Sequence, residues 1–176
     1  ALENDALAIR DYVRAQIKYQ PTAILSGKAG MDLAELKATA QANGLDLDKA
    51  FGSNIQGWLQ KLAAGESVDT YKQIIRNAAK IGLPDKVASL LDNGVDLATV
   101  YSPYKNILAN TLEINPNSIT LNDPTLRMAI TPQGEMSLYD FAKQLRKDDR
   151  WQYTQQAKTE VADSAKQVLQ DFGFMG

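Results

Sequence analysis

Residues 43–47 read Asn-Gly-Leu-Asp-Leu and residues 93–97 read Asn-Gly-Val-Asp-Leu, so one connector occurs twice at an offset of 50 positions. An aromatic residue follows four positions after each copy. In both copies we expect the glycine to end a helix, the next apolar residue to pack back on it, and the aspartate to cap a short turn. Two copies are too few for a helical repeat array. The pattern indicates either a weakly duplicated helical hairpin or a common way of joining two helices.

Apolar residues recur three or four positions apart along almost the whole chain, which is the spacing of amphipathic helices. Helix starts are predicted at Asp32 and Ser53 from capping boxes, and at Pro103 from the preference of proline for a first turn. Residues 115–123 are the least helical stretch, and residues 131–134 have the composition of a turn. The sequence predicts an all-α fold, an irregular bundle of about eight short helices with a weakly duplicated helical hairpin.

Three regions follow from this pattern. Residues 1–20 are predicted to form an N-terminal helix. The chain starts at Ala1 rather than at a methionine, so either the initiator was trimmed or the chain is a piece of a longer polypeptide, in which case this helix can continue from an upstream region. Residues 21–30 are small and contain glycine, which is typical of a linker. Residues 31–176 are predicted to form a compact helical domain.

Composition excludes several kinds of chemistry. The 176 residues include no cysteine and no histidine, so thiol chemistry, histidine general bases and the usual zinc sites are absent. The net charge of -2 gives nucleic-acid binding little electrostatic support. No apolar run approaches the roughly 18 residues that would span a bilayer. Carboxylate chemistry, or no chemistry at all, remains.

The carboxylates form no recognisable site. Asp46 and Asp48 have the spacing of a calcium loop, but the positions that should supply the further ligands hold Ala50 and Gly57. Glycosidases typically use two carboxylates, and Glu113 and Glu135 are the candidates, although no local signature supports them. We therefore expect no cofactor, no metal ion and no enzymatic activity.

The C-terminal part concentrates aromatic and basic residues. The basic residues are Lys143, Arg146, Lys147 and Arg150, and their place near a helix C-terminus favours a structural role over phosphate binding. The aromatic and apolar residues either pack the last helix into the core or anchor an interface, because such residues are enriched at contacts. The interface hypothesis names Arg150, Trp151, Tyr153, Phe172, Phe174 and Met175.

The segments that carry these residues also resemble a known family. They are Leu138-Tyr139-Asp140-Phe141, Leu145-Arg146-Lys147-Asp148-Asp149-Arg150-Trp151-Gln152-Tyr153-Thr154 and Val168-Leu169-Gln170-Asp171-Phe172-Gly173-Phe174. The pattern of a basic helix end, an Arg-Trp pair and a closing Leu-x-Asp-Phe-Gly resembles the C-terminal end of tail tape measure proteins of tailed bacteriophages, and of related internal ejection proteins. The clear part of this resemblance covers about the last forty residues.

The resemblance implies a non-enzymatic structural and assembly domain of a virion. Such a domain docks at the tail tip, commonly as a trimer, and contacts other virion proteins in the tail tip or tube after assembly in the host cytoplasm. It would be the compact end rather than the ruler, because the chain has no sustained heptads. One alternative is an ejection protein that waits inside the head and leaves with the DNA. Another is a carboxylate-dependent, muramidase-like domain that cleaves peptidoglycan, since such enzymes can work without histidine.

Overall fold

The computed structural model describes residues 6, 8, 9, 11, 12, 19, 25 and 27–173. Residues 27–173 contain eight α-helices and one two-stranded antiparallel hairpin, so the predicted all-α fold of about eight short helices is confirmed. The described residues among the first 20 include five in helical conformation, and all five are exposed. Tyr19 is also described and is not helical, and the other residues of the helix predicted over 1–20 lie outside the described residues.

The chain divides into two compact units, residues 1–100 and residues 101–176, whereas the sequence predicted one compact domain over 31–176. The first unit holds α1 (Gly27–Ala42), α2 (Leu47–Ala63), α3 (Val68–Ala79) and α4 (Asp85–Asp92). Helix α5 (Leu97–Leu112) runs across the division. The second unit continues with a 3₁₀ turn (Pro116–Ser118), α6 (Pro124–Arg127), β1 (Ile130–Thr131), β2 (Gly134–Glu135), α7 (Leu138–Leu145), a 3₁₀ helix (Asp149–Tyr153) and α8 (Gln155–Asp171).

The core of the first unit lies between α1, α2 and α3. The Trp58 ring is at its centre, with ring centroids 5.0 Å from Phe51 and 5.1 Å from Tyr71. Each fully buried leucine or isoleucine around these rings contributes roughly 1.5–3 kcal/mol. The buried members of this core are Leu33, Leu36, Ala40, Leu47, Ile55, Trp58, Leu59, Leu62, Tyr71 and Ile75.

The second unit has its own core, in which α5 packs with α7. The ring of Tyr104 meets that of Phe141 edge-on at 5.3 Å, and the Tyr104 hydroxyl donates a hydrogen bond of 2.5 Å to the carbonyl of Met136. Phe141 and Leu145 bury the inner side of α7 completely. This packing fixes the outer side of α7, which carries Tyr139 and Lys143, relative to the C-terminal end of α5.

The two connectors have the same backbone geometry. Gly44 and Gly94 have φ values of +72° and +83°, and the apolar residue that follows each glycine donates its N–H to a carbonyl five positions earlier, at 2.8 and 3.0 Å. This pattern closes a helix at a left-handed residue, which glycine adopts without steric cost. The next helix then begins directly after the aspartate, at Leu47 and at Leu97.

Three predicted helix starts are corrected by the structure, two of them at the connectors. Helices α2 and α5 begin before Ser53 and Pro103, so both residues lie inside helices. Helix α1 begins at Gly27, inside the predicted linker 21–30, and Asp32 pairs with Lys28 within it at 2.5 Å rather than capping it. In each case the residue that marks the predicted start lies several positions inside the helix.

A side chain from the first connector joins the second. Asn43 is 1% exposed, and its amide group donates to the Thr39 carbonyl at 2.8 Å and to Asp96 Oδ1 at 2.9 Å. Its amide oxygen accepts the backbone N–H of Leu97 at 2.9 Å. Asp96 also accepts from Arg76 Nε at 2.8 Å. Asn43 therefore supplies a partner for the first free N–H of α5, a role that a capping aspartate would otherwise have.

Candidate functional site

Arg150 is bound on both sides by carboxylates of its own unit. Its Nη1 lies 2.8 Å from Asp123 Oδ2, while Nε and Nη2 each lie 2.9 Å from an oxygen of Asp148. Asp123 also caps α6 through the Thr125 N–H at 2.9 Å, and Asp148 caps the 3₁₀ helix Asp149–Tyr153 through the Arg150 N–H at 2.9 Å. Arg150, predicted as an interface residue, is placed in a network that ties two helix starts together.

The electrostatics of this network keep its members ionised. Hydrogen bonds from Arg150 lower the pKa of Asp148 far below its ordinary value, against the opposing effect of burial. Burial raises the pKa of Asp123, but bonds from Arg150 and from the N–H groups of Leu126 and Thr125 together bring that pKa below its ordinary value. Hydrogen bonds to Asp148 and Asp123 raise the pKa of Arg150. The two carboxylates therefore stabilise the fold above about pH 4, and this contribution is lost as the pH falls below that value.

Two predicted interface residues follow in the same 3₁₀ helix. Trp151 is half-buried, and the guanidinium carbon of Arg146 lies 4.7 Å from the centre of its ring system. Its indole Nε1 is buried and has no hydrogen-bond partner among the described residues. Tyr153 is 72% exposed. Trp151 thus packs within the unit, and Tyr153 is directed to solvent.

Helix α8 leaves most of its apolar residues exposed. Every residue from 161 to 173 is exposed, and Ala157 is the one residue of α8 that is buried. Phe172, a predicted interface residue, is 75% exposed. Phe174 and Met175, the other two predicted there, lie outside the described residues. The apolar face of α8 comprises Val161, Ala165, Val168, Leu169 and Phe172.

Glu113, the carboxylate considered for glycosidase chemistry, holds the start of α8. Its two side-chain oxygens accept the N–H groups of Gln155 at 2.7 Å and Gln156 at 3.2 Å. Glu113 has φ +53°, the one positive φ among the described residues other than glycine. A helix N-terminus has free N–H groups and a positive dipole end, so this carboxylate is well placed as a cap. Glu135, its proposed partner in the enzyme hypothesis, lies in β2.

A groove that no local sequence pattern predicts lies between α7 and the start of α8. It has a volume of about 260 Å³. Its lining includes Tyr139, which is 73% exposed, Lys143, Arg146 and Trp151. Lys143 Nζ lies 5.3 Å from the centre of the Tyr139 ring. Lys143 and Arg146 belong to the basic cluster seen in the sequence. Lys143 meets a ring four positions earlier in its own helix, whereas the pairing of Arg146 with Trp151 depends on packing between α7 and the 3₁₀ helix.

The described part of the chain holds neither a cluster of metal-ligating side chains nor a helix that could span a membrane. No three acidic, histidine or cysteine side chains within it converge as a metal ion would require. None of its helices combines the length and apolar content that crossing a bilayer demands. Comparison with known proteins gives no matching family model, no matching curated protein and no matching solved structure.

Proposed function

We propose that this chain is a non-enzymatic structural and assembly domain of a tailed-phage virion, similar to the C-terminal end of a tail tape measure protein that docks at the tail tip. The observation that carries the proposal is the exposed apolar face of α8. Val161 is 69% exposed, Val168 53% and Phe172 75%. Exposed apolar surface of this kind marks sites where proteins contact one another.

The lack of packing on the apolar face of α8 supports the proposed assembly function. Isolated helices shorter than about 12–15 residues are marginal in water, and most helices are stabilised by packing an apolar face. Every residue from 161 to 173 is exposed, so the described part of the unit covers little of this stretch. A partner that covers Val161, Val168 and Phe172 would supply the missing packing. The resemblance of residues 138–174 to the ends of tape measure proteins names that partner as a virion protein of the tail tip or tube.

The test places single aspartates on α8 in a phage that carries this chain within its complete parent polypeptide. Val168→Asp puts a charge on the apolar face, and Gln170→Asp makes a similar change on the opposite face, where Gln170 is also exposed. We expect Val168→Asp to reduce infectious particles at least tenfold and to leave incomplete tails, because burying an unpaired charge opposes docking. Gln170→Asp should assemble like the wild type. Equal titres and normal tails for both variants would contradict the proposal.

The enzyme hypothesis has a separate test. The isolated chain is incubated with purified peptidoglycan, and soluble fragments are measured over time. We expect no turnover, because the oxygens of Glu113 are already bonded to the start of α8. The non-enzymatic proposal would be overturned by turnover that Glu113→Gln or Glu135→Gln abolishes. The variant must have the same unfolding temperature as the wild-type chain, so that loss of activity does not reflect loss of the fold.

A further inference from the structure

The groove between α7 and α8 has a specific chemical character. It offers two cations beside two aromatic rings, with Lys143 over Tyr139 and Arg146 over Trp151. Arg146 is also paired with Glu160, whereas Lys143 has no carboxylate partner among the described residues. The free charge therefore amounts to about one cation next to exposed aromatic surface. Such a groove suits a ligand that joins one carboxylate to an apolar ring.

The same features disfavour a nucleic acid. Binding along a phosphate backbone needs a track of several free cations. Arg150 is already paired with two carboxylates. Glu113 and Glu160 contact the groove residues Gln156 and Arg146, so two further carboxylates lie at the edge of the groove. One acidic side chain can be neutralised there, whereas a polyanion would meet these carboxylates.

The far end of α8 presents the ligand that this groove suits. Asp171 is followed by Phe172, which is 75% exposed, and both lie at the C-terminal, negative end of the helix dipole. Gln156, which lines the groove, is 16 positions before Phe172, or about 24 Å along the helix at 1.5 Å per residue. A groove can therefore receive this helix end only from another molecule.

We propose that the end of α8 from one copy, through Asp171 and Phe172, binds in the α7–α8 groove of a second copy beside Lys143 and Tyr139. The charges are complementary, because an acidic side chain at a negative helix end meets the free cation of the groove. The contact builds on the proposed assembly function, since it names a second copy of this chain as one partner of α8. A small interface of this kind binds weakly in isolation and gains from many copies in an assembly.

A charge exchange on the full chain tests the contact, with self-association measured by sedimentation equilibrium up to about 1 mM protein. We expect Lys143→Glu and Asp171→Lys each to weaken self-association at least tenfold, because each places like charges together. The double variant should return to within about threefold of the wild type, because the pair is restored with its signs reversed. High salt should weaken the wild-type association.

Matched controls share the chemistry and lie elsewhere. Lys147→Glu makes the same charge change at an exposed residue that does not line the groove, and Asp163→Lys does so two turns earlier on α8. Both should associate like the wild type. A wild-type chain that stays monomeric at the highest concentration, or a double variant as weak as the single ones, would overturn the proposal.

Two further outcomes separate this contact from its alternatives. Binding of a single-stranded oligonucleotide that Lys143→Glu abolishes, without self-association, would assign the groove to nucleic acid and overturn the proposal. If Val168→Asp blocks virion assembly while the wild-type chain does not self-associate, the assembly function stands and the groove contact fails. If self-association follows the expected pattern while Val168→Asp assembles normally, the groove contact stands without the proposed function.

Discussion

The connectors at residues 43–47 and 93–97 share a backbone and differ in what their polar side chains do. Asp46 caps its own helix by accepting the Lys49 N–H at 3.1 Å. Asp96 instead accepts from Arg76 and Asn43, and Asn43 accepts the N–H that begins α5. Glycine and the apolar residue after it determine the path of the chain. The polar positions are then free to bond to their own helix or to a neighbouring one.

The largest expected difference between the copies is at the asparagines. Asn43→Ala removes three hydrogen bonds at a site that is 1% exposed and leaves the Leu97 N–H unpaired, so we expect a loss of about 3 kcal/mol in the free energy of unfolding. Asn93→Ala removes an exposed bond to the Ser89 carbonyl and should cost less than about 0.5 kcal/mol. Urea unfolding of both variants measures this, and similar losses would show that Asn43 does not join the connectors.

The aspartates should differ in the same direction by a smaller amount. Asp96→Ala leaves Arg76, whose side chain is 11% exposed, without its carboxylate, at a cost of about 2 kcal/mol. Asp46→Ala removes an exposed helix cap and should cost about 1 kcal/mol. The comparison can be sharpened with Asp96→Asn, which retains an acceptor and should recover part of the loss. If Asp46→Ala is the more damaging change, the two aspartates do not have the roles described.

The residues that end α2 and α5 offer a third contrast. Gly65 ends α2 with φ +106°, whereas Glu113 ends α5 with φ +53° and its carboxylate caps α8. Glu113→Ala retains the left-handed backbone and loses the cap, so we expect a loss of about 1–2 kcal/mol. Glu113→Gly should be milder by about 1 kcal/mol, because glycine adopts this φ without steric cost. Thermal unfolding distinguishes the two, and an equal loss would mean that the left-handed backbone carries no cost here.

The smallest expected effect concerns the aromatic residue after each connector, Phe51 in the first copy and Tyr101 in the second. The Tyr101 hydroxyl is buried and makes no hydrogen bond of ordinary geometry with the described residues, and burial raises its pKa against the opposing effect of Arg127. Tyr101→Phe makes the copies alike and should change stability by less than about 0.5 kcal/mol, or raise it slightly. Tyr104→Phe is the control and should cost about 1 kcal/mol, because its hydroxyl bonds to Met136. A larger loss for Tyr101→Phe would reveal a partner for its hydroxyl.

Much of the fold could be predicted from local sequence, because glycine at Gly44 and Gly94 ends helices through the conformation of single residues. Helix starts were harder to predict from the sequence than helix ends. Asp46 and Asp96 mark the starts of α2 and α5 in both copies, yet capping pairs farther along also fitted the pattern. Pro103 is accommodated inside α5, which sequence spacing alone did not predict.

The candidate site was less predictable than the fold for a physical reason. Val161, Val168 and Phe172 have the same spacing as residues that α2 buries, so periodicity identifies an apolar face without showing whether anything covers it. The groove depends on Tyr139 of α7 meeting the start of α8, which is a contact between elements rather than a local pattern. Arg150 was predicted as an interface residue from its neighbours in the sequence. The carboxylates that it binds are 2 and 27 positions away, and the more distant one could not be paired with it from local sequence.

Because the C-terminal end of α8 is exposed, hydrogen exchange in this helix can report whether a partner is bound to it. Because every residue from 161 to 173 is exposed, the amide hydrogens of this stretch should exchange with solvent at rates set by local helix opening rather than by unfolding of the unit. A partner that binds only the helical form adds protection that grows with the logarithm of its concentration. The degree of deuterium uptake in this one helix would then measure how many copies are engaged.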